Sequence, residues 1–155
     1  MKRADSQLSF VSYSREFLVR SWEWLTDPVT KSLTLTPDFT REQQEAFYAS
    51  LPVRTDYLIW GIMLAGEPIG ACGLKHVTEK DAEYWGYIGV KQYWGLGLGV
   101  QIVGHCEKMA RANGLQAIYL HVGVDNTRAR RLYEKCGFVE DAPVVGSEIT
   151  MRKIL

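Results

Sequence analysis

Five residues, Gly95-Leu96-Gly97-Leu98-Gly99, constrain this chain more than any other stretch of it. Glycine at alternate positions admits φ > 0 and lets another group approach the main chain closely. The segment before the run, Glu83 to Val90, reads as a strand. After it, Leu98, Ile102, Cys106, Met109 and Ala110 fall on one helical face. The chain therefore passes from strand to helix through a turn whose N–H groups can converge on one point. The positive end of the following helix adds to them, which makes the turn a candidate phosphate or pyrophosphate site. A tight turn whose glycines serve packing alone is the plain alternative.

Three phosphate chemistries compete for such a turn. A P-loop needs G-x-x-x-x-G-K-[ST], and no Lys-Ser or Lys-Thr follows Gly99. A dinucleotide fold needs G-x-G-x-x-G early in a long βαβαβ unit. Here the spacing is G-x-G-x-G, and too little chain follows it to build that sheet. Coenzyme A is the third.

The remaining periodicity gives a single domain over residues 1–155. Leu18, Trp22 and Leu25 mark a helix from Arg15 to Leu25, stopped at Asp27-Pro28. A second helix starts at Thr40, with Gln43 three residues on as in a capping box. Tyr57–Leu64 and Ile69–Val77 read as strands around the turn Ala65-Gly66-Glu67-Pro68, with Glu83–Val90 as the third strand of an antiparallel meander. Asn113-Gly114 ends the helix after the glycine run. Gln116–Val122 is a strand and Asn126–Lys135 a helix closed by Gly137; Phe138-Val139 and Ser147–Lys153 are the last strands. The order is α-α-β-β-β-α-β-α-β-β, an α/β mixed sheet carrying helices.

Eighteen Lys plus Arg balance eighteen Asp plus Glu. A neutral chain is a poor general nucleic-acid binder, so no nucleic-acid partner is expected. Cys72, Cys106 and Cys136 are scattered and form no C-x-x-C pair, which argues against a metal site or a disulfide framework and suits a reducing cytoplasm. Met1-Lys2-Arg3-Ala4-Asp5-Ser6 is polar and lacks a signal core. The most apolar run, Leu58 to Ala65, falls far short of the roughly 20 residues a membrane helix needs. The expectation is a cytoplasmic protein with no membrane partner.

The segment Asn126-Thr127-Arg128-Ala129-Arg130-Arg131-Leu132-Tyr133-Glu134-Lys135-Cys136-Gly137-Phe138 resembles the pattern N-x-x-[AS]-x-x-x-Y-x-x-x-G-F of the GNAT acetyltransferase superfamily. Trp94-Gly95-Leu96-Gly97-Leu98-Gly99 resembles its pyrophosphate motif [R/Q]-x-x-G-x-[G/A], with Trp94 where Arg or Gln is commoner. Tyr93-Trp94-Gly95 looks like the branch that acetylates ribosomal-protein N-termini, polyamines and aminosugar nucleotides. The likeness is good from Tyr57 onward and loose before it. It implies the GNAT acyl-CoA N-acyltransferase fold, a twisted, mostly antiparallel sheet flanked by helices and split between the third and fourth strands of this count. It implies acetyl-CoA as cosubstrate, with Trp94, Gly95, Leu96, Gly97, Leu98, Gly99 and Val100 around its pyrophosphate. Ile88, Gly89 and Val90 would pair their main chain with its pantetheine amides, Asn126 would bind the same arm, and the Val90 N–H would stabilise the oxyanion.

The resemblance further implies Tyr133 as general acid. A phenol of pKa about 10 can donate to a thiolate leaving group whose thiol has pKa about 8.5. Tyr133 as a core aromatic and Asn126 as a helix cap are the bland readings. Glu83 is the candidate general base, with a solvated strand-end carboxylate as the alternative; His76 is a weaker candidate near the acceptor. Trp85 or Tyr84 is expected at the acceptor, while His105 and His121 receive no role. The function expected is acetyl transfer to a primary amine of a small molecule, by direct attack in a ternary complex. An aminosugar nucleotide is favoured slightly over a protein N-terminus, a polyamine or an amino acid. A non-catalytic coenzyme A sensor is the second class, and a homodimer is compatible with the resemblance.

Overall fold

The computed structural model describes residues 7–155; the polar run Met1 to Ser6 lies outside them. The elements are β1 (Leu8–Ser12), α1 (Arg15–Thr26), α2 (Pro28–Leu33), α3 (Arg41–Ser50), β2 (Leu58–Leu64), β3 (Glu67–Lys75), β4 (Asp81–Ile88), α4 (Gly99–Ala112), β5 (Ala117–Gly123), α5 (Thr127–Lys135), β6 (Val139–Val145) and β7 (Glu148–Ile154). The seven strands form one sheet in the order β1-β2-β3-β4-β5-β7-β6. All neighbours are antiparallel except β4 and β5.

Local chemistry accounts for most element ends. Thr40 and Gln43 form the reciprocal capping box that opens α3. Ala65 (φ 50°) and Gly66 (φ 80°) make the tight turn between β2 and β3. Gly137 (φ 98°) carries the chain out of α5 in a conformation that favours glycine. Asp27 has two roles: it ends α1, and its carboxylate accepts from the Thr30 N–H to open α2, with Pro28 at the first helical position.

Several elements depart from the expectation, among them the strand expected at Phe138-Val139, which is Val139–Val145. Asp27-Pro28 was expected only as a stop, yet the same pair starts the six-residue α2. The edge strand β1 carries no alternating pattern of burial that would mark it in the sequence. The third strand, expected over Glu83–Val90, is Asp81–Ile88. Gly89 and Val90 leave it because both of their N–H groups turn back to the Ile69 carbonyl, at 2.7 and 3.3 Å.

The sheet separates two layers. Ile102, Val103, Cys106 and Ala110 of α4 are buried on one face. Phe17 and Leu18 of α1 are buried on the other, where the Phe17 ring lies over Gly61 so closely that a Cβ there would fall 2.3 Å from it. β4 and β5 pair through three residues only: Asp81 with Ala117, Ala82 with Ile118, Glu83 with Tyr119. Beyond Glu83, β4 stays with β3 as far as Ile88, while β5 stays with β7. The sheet is therefore split from Tyr84 and Leu120 onward. Among the described residues no helix is long and apolar enough to cross a membrane, and no group of three or more His, Cys, Asp or Glu could hold a metal.

His105 of α4 gives this fold a pH signature. Its ring stacks on Phe10 (4.0 Å, 2°) and meets Trp60 edge-on (4.8 Å), and its buried Nε2 has no hydrogen-bond partner among the described residues. Burial first, then Lys108, holds its pKa below the ordinary 6.5. The folded chain thus takes up this proton less readily than the unfolded chain. Stability is full above about pH 6.5 and falls as pH drops toward the depressed folded value. Urea denaturation at pH 7.5 and 5.5 is expected to show a smaller loss of midpoint in His105→Phe than in the parent chain.

Candidate active site

The split opens a cavity of about 750 Å³ that reaches both faces of the sheet. On the α1–α3 side its wall includes Leu18, Phe47, Arg54, Tyr57, Lys75, His76, Glu83 and Trp85. On the α4–α5 side the wall includes Tyr84, Leu120, Val122, Asn126, Ala129 and Tyr133. The sequence-expected acid and base thus line one space from opposite sides of the sheet.

Tyr133 lies in α5, whose register points it back at the sheet. Its ring meets Tyr84 (6.0 Å, 75°) and Phe138 (5.8 Å, 61°) edge-on. Burial, with a smaller contribution from the Cys136 thiol, pushes its phenol up to about 12, so it is protonated and available as a donor throughout the neutral range. The Asn126 side chain accepts from the Ala129 N–H at 3.3 Å, which opens α5 and sets the helix over the split.

Glu83 is the last β4 residue paired with β5, so it sits where the split begins. Its side chain is 12% exposed. Lys75 Nζ lies 3.6 Å from Oε2; His121 Nε2 and His76 Nε2 lie 3.7 and 3.9 Å from Oε1. His76 holds a left-handed φ of 52°, unusual for a residue with a side chain. It ends β3 and turns its imidazole to the carboxylate. His121 had no expected role, and nothing local in the sequence marks it.

Two expectations are corrected here. Tyr84 does not share the acceptor-side wall with Trp85. Adjacent strand residues face opposite ways, and Tyr84 is 4% exposed in the core beneath α4 and α5. Trp85 faces α1–α3 with Tyr57 (6.2 Å) and Tyr87 (6.3 Å), its indole lying against Gly73, where a Cβ would fall 2.8 Å from Nε1. The second correction concerns Val90. Its N–H is engaged with Ile69 and is not directed into the split. The bond from Gly89 to Ile69 makes Gly70 and Ile88 a pair whose own main-chain groups point away from each other. The N–H and C=O groups of Gly86 and Ile88 are therefore the ones that face the gap.

The glycine run follows. Gly95 and Gly97 both have φ 78°, and their alternation with ordinary residues turns successive N–H groups toward one side. Leu98 is buried and anchors the run, while Val100 stays exposed. Gly99 opens α4 beneath Leu132, whose side chain would lie 2.6 Å from a Cβ. Among the described residues no side chain caps α4; the Gln101 N–H bonds the Leu98 carbonyl at 3.0 Å, and the first-turn N–H groups of Gly99 and Val100 are the ones placed to meet an anion. Trp94 plays a different part from the Arg or Gln it replaces: its Nε1–H donates to the Ile88 carbonyl at 2.7 Å and ties the turn to the end of β4. The turn also touches the helical layer. Gly89 lies flat against Trp24 of α1, and Lys91 pairs with Asp27 at 2.9 Å. That carboxylate, bonded first to the Thr30 N–H and then to Lys91, is held at about 2.

Residues 18–138 match the model of the acetyltransferase (GNAT) family. The chain belongs to the GNAT acetyltransferase family. A spermidine N(1)-acetyltransferase of Vibrio cholerae is 58% identical over 31 residues, a segment that covers 20% of this chain and 18% of that protein's length. Solved structures agree over nearly the whole chain. A domain from Methanocaldococcus jannaschii superposes with TM-score 0.83 at 18% identity, covering 97% of this chain and 99% of that one. The V. cholerae spermidine N-acetyltransferase in complex with CoA and spermine gives 0.79 at 22%, covering 94% and 93%. Campylobacter jejuni N-acetyltransferase PseH gives 0.72 at 15%, covering 96% of each. At these identities the likeness concerns the fold, which is the mixed sheet expected, with its split where expected.

The glycine turn yields a direct expectation. Ala at position 97 must hold φ near 78°, at a cost of about 1–2 kcal/mol. Gly97→Ala is expected to weaken coenzyme A binding about tenfold or more in calorimetry, and the same strain in the folded chain is expected to lower the melting temperature by only a few degrees.

Proposed function

We propose that this GNAT protein transfers the acetyl group of acetyl-CoA to the primary amine of a small molecule, by direct attack in a ternary complex. One observation supports the reading above the others: a single cavity crosses the split sheet with Glu83 on one side and Tyr133 on the other. The residues present fit the cosubstrate. The first turn of α4 and the glycine run Gly95 to Gly99 suit its pyrophosphate, and the Gly86 main chain with the Ile88 N–H suits its pantetheine amides, the Ile88 carbonyl already accepting from Trp94. When bound, it supplies an activated acetyl thioester.

The chain's own residues then have separable tasks. Glu83 accepts a proton from the acceptor ammonium, which frees the nitrogen lone pair. Tyr133, kept protonated by burial, donates its O–H proton to the departing sulfur. Asn126 sets α5, and with it Tyr133, at the mouth of the split.

For the acceptor, an aminosugar nucleotide fits better than a polyamine. The lining carries Arg54 and Lys75 against Glu83 and Glu148, a balanced set and not the carboxylate excess that attracts a polycation. Arg54 is fixed by a two-pronged pair with Asp56 (3.0 and 3.1 Å) and lies over the Tyr57 ring. Phe47, Tyr57, Trp85 and Tyr87 are linked ring to ring along this wall and offer faces for a sugar or a base.

Thiol release from acetyl-CoA across aminosugar nucleotides, polyamines, amino acids and short peptides tests this. The expected outcome is turnover of an aminosugar nucleotide with the highest kcat/KM. Tyr133→Phe is expected to lower kcat about 10²–10⁴-fold with the KM for acetyl-CoA nearly unchanged. Because the phenol is active in its protonated form and titrates only at about 12, no alkaline fall in rate below pH 10 is expected from it. Spermidine as the best acceptor would overturn the acceptor assignment; coenzyme A binding with no turnover of any amine would favour a sensor.

A further inference from the structure

The reaction proposed above leaves one proton unaccounted for. An ammonium acceptor loses two protons on becoming an amide. One passes from the nitrogen to Tyr133, which has given its own proton to the departing thiol, and the other must reach solvent from Glu83 on every turnover. Glu83 is 12% exposed, so it needs an outlet.

The register of the sheet supplies one. Lys75 of β3 pairs with Glu83 of β4, Glu83 pairs with Tyr119 of β5, and His121 follows Tyr119 by two residues on the same face. His121 in turn pairs with Thr150 of β7. Lys75, Glu83, His121 and Thr150 therefore form a row across four strands, the first three lining the cavity and Thr150 lying beyond them. The His121 Nδ1 lies 3.0 Å from Thr150 Oγ1. A hydroxyl there can accept the Nδ1–H or donate to a bare Nδ1; in the tautomer where it accepts, Nε2 is bare and able to take a proton. That Nε2 faces Glu83 Oε1 at 3.7 Å, a separation that one water or a small rotation closes. The ring is 38% exposed, so its far edge meets solvent.

We infer that His121 is the proton-relay residue for Glu83, oriented by Thr150. The N–H bond of the acceptor ammonium breaks as the Glu83 O–H forms. That O–H then breaks as the His121 Nε2–H forms, giving an imidazolium, and the imidazolium returns the same proton to water or buffer. The carboxylate and the neutral imidazole are restored, and no other reactant is consumed. His121 acts through Glu83 and is not placed against the acceptor. His76, on the same oxygen at 3.9 Å, is 63% exposed at the rim. Its ring is held by no neighbour comparable to Thr150, and it faces Asp56 as well as Glu83. Other ionisable groups around the row include Tyr57 and Tyr119 beside Glu83, Arg152 over the Tyr119 ring at 5.2 Å and paired with Asp81 at 3.1 Å, and Glu148 on β7.

This inference rests on the acetyltransferase reading, and the test separates the two. Steady-state rates with acetyl-CoA and whichever amine the panel identifies are measured from pH 6 to 9 at several buffer concentrations. His121→Ala is expected to lower kcat about tenfold or more, with the KM for acetyl-CoA unchanged. Added imidazole is expected to restore much of the rate, while sodium chloride at the same ionic strength is not. Thr150→Val, which keeps the ring but removes its anchor, is expected to fall between parent and His121→Ala with only partial buffer dependence. Melting temperature and coenzyme A binding monitor folding in each variant. His121→Ala with full activity, or inactive, folded and unmoved by imidazole, overturns the relay, as does rescue confined to His76→Ala. Glu83→Gln with undiminished turnover would sink the proposed base itself, a failure distinguishable from all of these.

Discussion

The three-residue contact between β4 and β5 governs the rest of this structure. Parallel strands ordinarily continue side by side, because each unpaired N–H and C=O costs free energy when it lacks a partner. Here the pairing stops after Glu83 and Tyr119, and two short stretches of main chain face a gap between layers of helix. Those unpaired groups suit a ligand that carries amides of its own. The gap also lets one cavity reach both faces of the sheet, which a continuous sheet would forbid. The proposed acid on α5 and the proposed base on β4 can then serve one space while belonging to opposite layers.

The fold is held open at that point by its neighbours. β4 is secured by β3 as far as Ile88, and β5 by β7 along its whole length. Each half of the split is thus a well-paired antiparallel sheet. The buried cluster beneath, including Ile62, Ile69, Leu74, Ile118, Leu120, Ile149 and Met151, spans both halves. The end of β4 is secured by Trp94 on the Ile88 carbonyl and by the two N–H groups on Ile69.

What could be read from the sequence follows the range of each signal. The capping box at Thr40, the tight turn at Ala65-Gly66, the glycine run and the segment Asn126 to Phe138 are local, and each was legible. α2 was not, because Asp27-Pro28 can both end one helix and begin another. β1 is a short edge strand without alternation, and little marks it. Tyr84 was misplaced although the period of two along β4 already separates it from Trp85. The engaged Val90 N–H and the position of His121 depend on register between strands far apart in the chain. No single-sequence pattern carries that register: Lys75, Glu83, His121 and Thr150 become a row only once four strands are aligned.

Trp24 resting on Gly89, with Asp27 paired to Lys91, joins the helical layer to the turn that follows β4. The junction of α1 and α2 is thereby mechanically connected to the chain between β4 and α4. Whatever stiffens the turn also fixes the junction of α1 and α2, and the reverse holds with equal free energy, since such coupling is reciprocal. Changes in the first helices are therefore transmitted to the turn that precedes α4 through these two contacts.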